Sequence, residues 1–142
     1  MRILITGSFG QLGRALSNVL KNKHEVIRTG RKIPEGANGV KLNIQDRINV
    51  RQVIGFLKPD LIINLAAMTD VDKCENNEDL AREINIGGVI NLCEYFQGKI
   101  IQVSTDYVFN GNNGPYTEKD SVCPISIYGK TKLAAEKIIM HS

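Results

Sequence analysis

Apolar residues fall along this chain in two alternating rhythms. Ile3-Leu4-Ile5 is a short continuous run, and Leu12, Ala15, Leu16, Val19 and Leu20 then recur at helical spacing. Residues 24–28 read as a second strand, and residues 32–39, with Pro34, Gly36 and Gly39, as a loop. Val40-Lys41-Leu42 forms a third strand ending at Asn43. Asp46 then predicts an N-cap for a helix through about Leu57, with Ile48, Val50, Val53, Ile54 and Leu57 apolar and Lys58-Pro59-Asp60 as its stop. The nearly unbroken apolar run 61–65 suits a parallel strand covered on both faces. Residues 66–77 read as irregular and polar, 78–96 as one long helix, 99–103 as a fifth strand and 104–126 as mostly loop. Helix returns from Tyr128, with Leu133, Ala134, Ile138 and Ile139 on or near one face.

Strand and helix in alternation predict an α/β fold: a doubly wound, Rossmann-like parallel sheet with helices on both faces and right-handed crossovers. Residues 1–142 are expected to form one NAD(P)-binding Rossmann domain. A two-half Rossmann fold has six or more strands, and this chain shows five, so the sequence reads as the first half or more of a longer protein whose substrate-binding C-terminal part is absent.

Charge changes the picture little. Eighteen basic and 15 acidic residues give a net charge of +3, spread along the chain. No dense basic cluster forms, so neither nucleic acid nor a membrane surface is an expected partner. The longest apolar stretch, 61–68, is too short to span a bilayer. Three cysteines, Cys74, Cys93 and Cys123, are an odd number without metal-ligand spacing, which points to a reduced, cytoplasmic protein with no metal site.

The chemistry concentrates in two places. Thr6 is followed by glycines at 7, 10 and 13 and then by a helix. Gly7 permits a sharp turn, Gly10 a close approach to a pyrophosphate, and Gly13 tight helix–strand packing. The helix N-terminus offers free N–H groups and partial positive charge to phosphates. Far along the chain, Tyr128 and Lys132 stand four apart on a helix and share a face. An ammonium beside a phenol lowers the tyrosine pKa from about 10 and equips the pair for proton transfer at neutral pH. Ser104-Thr105-Asp106 follows the fifth strand at the carboxyl edge, where α/β sheets bind ligands. Asn64-Leu65-Ala66-Ala67 ends the fourth strand at the same edge, with small residues that let a cofactor lie across it. A hydroxyl, a phenol and a bound nicotinamide together make a carbonyl-reducing site.

The order G-x-x-G-x-x-G, N-x-A-A, S-T-D-Y-V-F and Y-G-x-T-K resembles the extended short-chain dehydrogenase/reductases, and most nearly the dTDP-4-dehydrorhamnose reductase family. The resemblance runs through Gly7–Gly13, Asn64–Glu75, Ser104–Phe109 and Tyr128–Glu136 and covers essentially the whole chain. It implies that Thr105, Tyr128 and Lys132 are the catalytic hydroxyl, acid and supporting base, and that Thr105 and Asp106 face the sugar. Gly7, Gly10, Gln11, Leu12 and Gly13 are implied at the pyrophosphate, Ala66 and Ala67 beside the adenosine-side ribose and phosphates. Tyr128 and Lys132 would touch the cofactor as well. Asn43 and Ile44 stand near the adenine, where the family usually has an acidic residue followed by an apolar one. Arg31 replaces the acidic residue that would bind a ribose 2′-OH, and a cation there suits a 2′-phosphate, favouring NADPH with NADH as the lesser cofactor. Asn85 resembles the family's structural asparagine.

The resemblance thus implies reduction of the 4-keto group of a dTDP-activated 6-deoxy sugar to dTDP-L-rhamnose, with a homodimer as an open possibility. Two alternatives stand beside it. One is a non-catalytic NADP(H)-binding regulatory module, like the regulatory subunit of methionine adenosyltransferase. The other is a different extended-family nucleotide-sugar epimerase or reductase.

Overall fold

The computed structural model describes residues 1–142. Five strands, β1 (Arg2–Thr6), β2 (Glu25–Gly30), β3 (Val40–Lys41), β4 (Leu61–Asn64) and β5 (Lys99–Gln102), form one parallel sheet in the order β3-β2-β1-β4-β5. The chain starts in the middle of the sheet, so β1 pairs with both β2 and β4: Ile3 is in register with Val26 on one side and Leu61 on the other. β1 is the most buried strand, with Leu4 and Ile5 fully enclosed.

Alternation along the strands divides the core in two. Leu4 and Ile62 face a layer with Leu42, Ile44, Val50, Ile54 and Leu92, under helices α2 (Arg47–Leu57) and α5 (Gly88–Tyr95). Ile3, Ile5 and Ile63 face the other layer, against Leu16 and Leu20 of α1 (Gln11–Leu20). The doubly wound sheet is therefore as expected. α2 starts and stops where its signals say. The Asp46 carboxylate accepts from Asn49 N at 3.0 Å, and Lys58 closes the helix in the left-handed region at φ 46°.

Three expectations need correction. Residues 66–77 are not irregular throughout: α3 (Val71–Asn76) forms there, its N-terminus capped by Asp70, which accepts from Lys73 N at 3.1 Å. The long helix is interrupted, running as α4 (Glu78–Arg82), a π-helical stretch (Glu83–Gly87) and α5. And α1 does not bury its whole apolar set. Leu12 and Val19 are 52% and 72% exposed, while Gly13 and Ser17 lie inside. The turn before α1 demands a close approach, so Gly13 and Ser17 occupy the tightest contacts, Leu16 and Leu20 pack beside them on the sheet, and Leu12 and Val19 are turned outward. α6 (Ile127–Met140) buries Thr131, Lys132 and Ala135 most deeply, with Leu133, Ala134, Ile138 and Ile139 half-buried. No helix is long and apolar enough to cross a membrane.

The Asp46 cap gives the first prediction. Asp46→Ala leaves Asn49 N without its partner and lowers unfolding stability by about 1 kcal/mol. Urea titration should show a lower midpoint with an unchanged slope.

Candidate functional site

A cleft of about 660 Å³ opens at the carboxyl edge of the sheet. Its floor is the turn between β1 and α1. Gly7 has φ +63°, and a Cβ there would lie 3.0 Å from Ala66 N. A Cβ at Gly13 would lie 2.5 Å from Gly7 O and 2.6 Å from Ser8 Cα. The turn is thus pressed between the end of β4 and the first turn of α1, and side chains at 7 and 13 have no room. Gly10 is the N-cap of α1 and contributes no side-chain cap, and the helix has no acidic residue in its first turn. Its first N–H groups stay available beside the cleft. An uncapped N-terminus over a glycine cradle fits a diphosphate group.

Polar side chains tie this edge together. The buried Thr6 hydroxyl accepts from Leu65 N and Ala66 N, each at 3.0 Å, and donates to Asn64 Oδ1 at 2.5 Å. Asn64 Nδ2 donates to Gln102 Oε1 at 2.7 Å, and Gln102 Nε2 to Val103 O at 3.0 Å. Lys132 Nζ reaches the same Val103 carbonyl at 2.5 Å.

The walls gather most of the residues singled out from sequence. Gly7, Gly10, Gln11, Leu12 and Gly13 line the α1 side, and Arg31 comes from just past β2. Asn43 and Ile44 follow β3, Ala66 and Ala67 follow β4, and Tyr128 and Lys132 come from α6. Thr105 and Asp106 are not in this lining. They sit where β5 gives way to a short 3-10 turn (Asp106–Val108), with the Thr105 hydroxyl accepting from Tyr107 N and donating to Asp106 Oδ1, both at 3.2 Å. Sequence reasoning missed the wall made by Met68, Thr69, Lys73, Leu80 and Ile84. It lies in and around α3 and α4; Asp70 three residues before Lys73 was the available N-cap signal.

The electrostatics differ from expectation. Burial pushes the Tyr128 phenol above its usual 10, and the charges of Cys74, Asp106 and Tyr107 act in the same direction. The Thr105 hydrogen bond alone opposes them. The expected lowering of Tyr128 by Lys132 is not found; the Lys132 ammonium donates to Val103 O. Lys132 is itself held below its usual 10.5 by burial, opposed by Glu136. Glu136 accepts a hydrogen bond from the Ser104 hydroxyl, so two successive turns of α6 grip the end of β5. The Tyr128 ring packs edge-on against Tyr107, centroids 5.7 Å apart.

Asn85 has a structural part. Buried in the π-helical stretch, its carboxamide oxygen accepts from Met68 N at 2.7 Å, and its nitrogen donates to Met68 O and Thr131 Oγ1, each at 3.0 Å. Thr131 in turn donates to Tyr128 O at 2.8 Å. Asn85 therefore ties the segment after β4 to the helix that carries Tyr128. The start of α6 is fixed twice more: Ser126 Oγ accepts from Gly129 N at 3.0 Å, and Glu75 Oε1 from Ile127 N at 2.7 Å.

Strand, glycine turn and uncapped helix in this order, at the carboxyl edge of an all-parallel sheet, make this a Rossmann-type α/β protein. The chain belongs to the dTDP-4-dehydrorhamnose reductase family, whose family model, described as RmlD substrate binding domain, matches residues 1–142. It is similar to the spore coat polysaccharide biosynthesis protein SpsK of Bacillus subtilis, with 40% identity over 97% of this chain and 48% of that protein. A dTDP-4-dehydrorhamnose reductase from Clostridium acetobutylicum superposes with a TM-score of 0.88 at 44% identity, over 99% of this chain and 49% of that one. The Bacillus anthracis dTDP-4-dehydrorhamnose reductase, solved in complex with NADP, gives 0.87 at 36% identity, over 99% and 49%. The chain thus spans about half the length of the relatives it matches.

The buried ammonium makes a prediction about pH. Because folding lowers the Lys132 pKa, the unfolded chain holds its proton to higher pH than the native one, and stability rises with pH up to the ordinary value of 10.5. Lys132→Met lacks this term. Wild type should therefore gain on Lys132→Met from neutral pH towards 10.5 in paired urea titrations; a constant gap between the two would count against a buried, charged Lys132.

Proposed function

We propose that residues 1–142 are the NADP(H)-binding half of a reductase that converts dTDP-4-dehydro-L-rhamnose to dTDP-L-rhamnose. The supporting observation is that Tyr128 and Lys132 enter the same cleft as the glycine turn, in a chain of the dTDP-4-dehydrorhamnose reductase family. The other half of the length of the relatives would supply most of the sugar site.

When bound, the nicotinamide cofactor supplies the hydride to the sugar carbonyl carbon. The chain's own residues handle the oxygen. Tyr128, a phenol that burial holds above its usual 10, gives its proton to the carbonyl oxygen. Thr105 donates a hydrogen bond to that oxygen, and Asp106 faces the sugar. Lys132 supports the phenolate left behind, which solvent reprotonates. Gly7, Gly10, Gln11, Leu12 and Gly13 hold the diphosphate, Ala66 and Ala67 flank it, and Asn43 and Ile44 stand at the adenine. Arg31, which has no hydrogen bond or ion pair within the chain, supplies a cation for a 2′-phosphate, so NADPH binds in preference to NADH. The three free cysteines suit a reducing compartment, which supports a cytoplasmic location.

The test is Tyr128→Phe in the protein extended to the full length of the relatives, so that the sugar site is present. With NADPH and the dTDP-keto-sugar, turnover should fall by about 10²–10⁴-fold, a loss far larger than any change in the NADPH dissociation constant. Undiminished turnover would remove Tyr128 from the proton step. Saturable NADPH binding without turnover in that full-length wild type would instead support the regulatory module.

A further inference from the structure

We infer that Phe9 is the positioning residue for NADPH selectivity, acting through Arg31; the inference rests on the reading of Arg31 as the cation for the 2′-phosphate. Phe9 stands inside the glycine turn, yet its ring belongs to neither apolar cluster of the core. It is directed instead at the far side of the cleft, between the end of β2 and the residue entering β3. A Cβ at Gly30 would lie 2.9 Å from the ring's Cδ2, and one at Gly39 2.6 Å from its Cζ. The Arg28 guanidinium covers the ring at 4.6 Å from its centroid, and its buried Nε has no hydrogen-bond partner. The ring is thus the object around which both ends of the β2–β3 connection close.

Arg31 follows Gly30 directly and lines the cleft with it. Exposed and without a hydrogen bond or ion pair of its own, Arg31 takes its position from the backbone at Gly30. That backbone has two anchors. One is the hydrogen-bonded frame: Ser8 N to Thr29 O, Thr29 N to Ser8 Oγ and Leu42 N to Gly30 O, all at 3.0 Å. The other is the Phe9 ring. The frame holds the turn to β2 whether or not the ring is present, so loss of the ring spares the fold and frees the segment from which Arg31 rises. A guanidinium recognises phosphate by directed, charge-assisted hydrogen bonds, which tolerate little displacement. Phe9 therefore couples the turn that takes the diphosphate to the residue that takes the extra phosphate.

The experiment compares dissociation constants for NADPH and NADH by calorimetry in wild type, Phe9→Ala, Gly39→Ala and Arg31→Ala, with unfolding midpoints measured alongside. Phe9→Ala should weaken NADPH about fivefold or more beyond its effect on NADH, moving the ratio towards that of Arg31→Ala. Gly39→Ala, outside the diphosphate turn, should shift the ratio the same way, since its Cβ claims the ring's place; it also answers for a Phe9→Ala that fails to fold. Equal weakening of both nucleotides, or no change, in the two variants while Arg31→Ala collapses the ratio would overturn the role of Phe9 alone. An unchanged ratio in Arg31→Ala would overturn the reading of Arg31 itself.

Discussion

A row of polar side chains laid across the carboxyl ends of three parallel strands holds the cleft in shape. Thr6 ends β1, Asn64 ends β4 and Gln102 ends β5, and their side chains are joined in that order by hydrogen bonds. At each of these positions a strand stops pairing and its backbone turns away, leaving N–H and C=O groups that the sheet no longer satisfies. Thr6 takes up two of them, at Leu65 and Ala66. Leaving such a buried group unpaired costs about 1–3 kcal/mol, so the row is held as a unit. It also sets how closely the glycine turn lies against β4, since Gly7 has no space for a Cβ beside Ala66. The glycine turn and the Val103 carbonyl that receives Lys132 are two ends of one network.

The helix that carries Tyr128 and Lys132 is fixed by comparable means. α6 is gripped at Ile127 by Glu75, at Gly129 by Ser126, at Thr131 by Asn85, and at Lys132 and Glu136 by the residues just after β5. Few of these contacts are apolar. The proton transfer proposed for Tyr128 needs its side chain held to within a fraction of an ångström, and directed hydrogen bonds do that better than greasy packing. The interruption of the long helix by a π-helical stretch falls where Asn85 has to turn inward towards Met68 and Thr131. Such stretches tend to mark functional sites.

Much of the fold was legible in the sequence because its signals are local. Apolar runs such as 61–65 announce buried parallel strands, Asp46 announces α2, and glycines at 7, 10 and 13 announce a turn that must pass close to something. The Tyr128–Lys132 spacing and the small residues Ala66 and Ala67 after the fourth strand pointed to the same edge, the family resemblance added Asn43 and Ile44, and the structure brings all of these to one cleft. The misread segments, 66–77 and 78–96, owe their shape to partners remote in the chain, such as Thr131 for Asn85 and Ile127 for Glu75.

Periodicity and motif together specified the strands, their parallel arrangement, the family and most of the cleft's residues. They do so because burial patterns and backbone sterics act over a few residues at a time. The exposure of Leu12 and Val19, the inward placement of Lys132, the direction of the Tyr128 pKa and the lodging of Phe9 between Gly30 and Gly39 came from the folded chain. Each depends on which groups meet across long sequence separations. Desolvation and close approach are properties of that meeting and leave no local trace in the sequence.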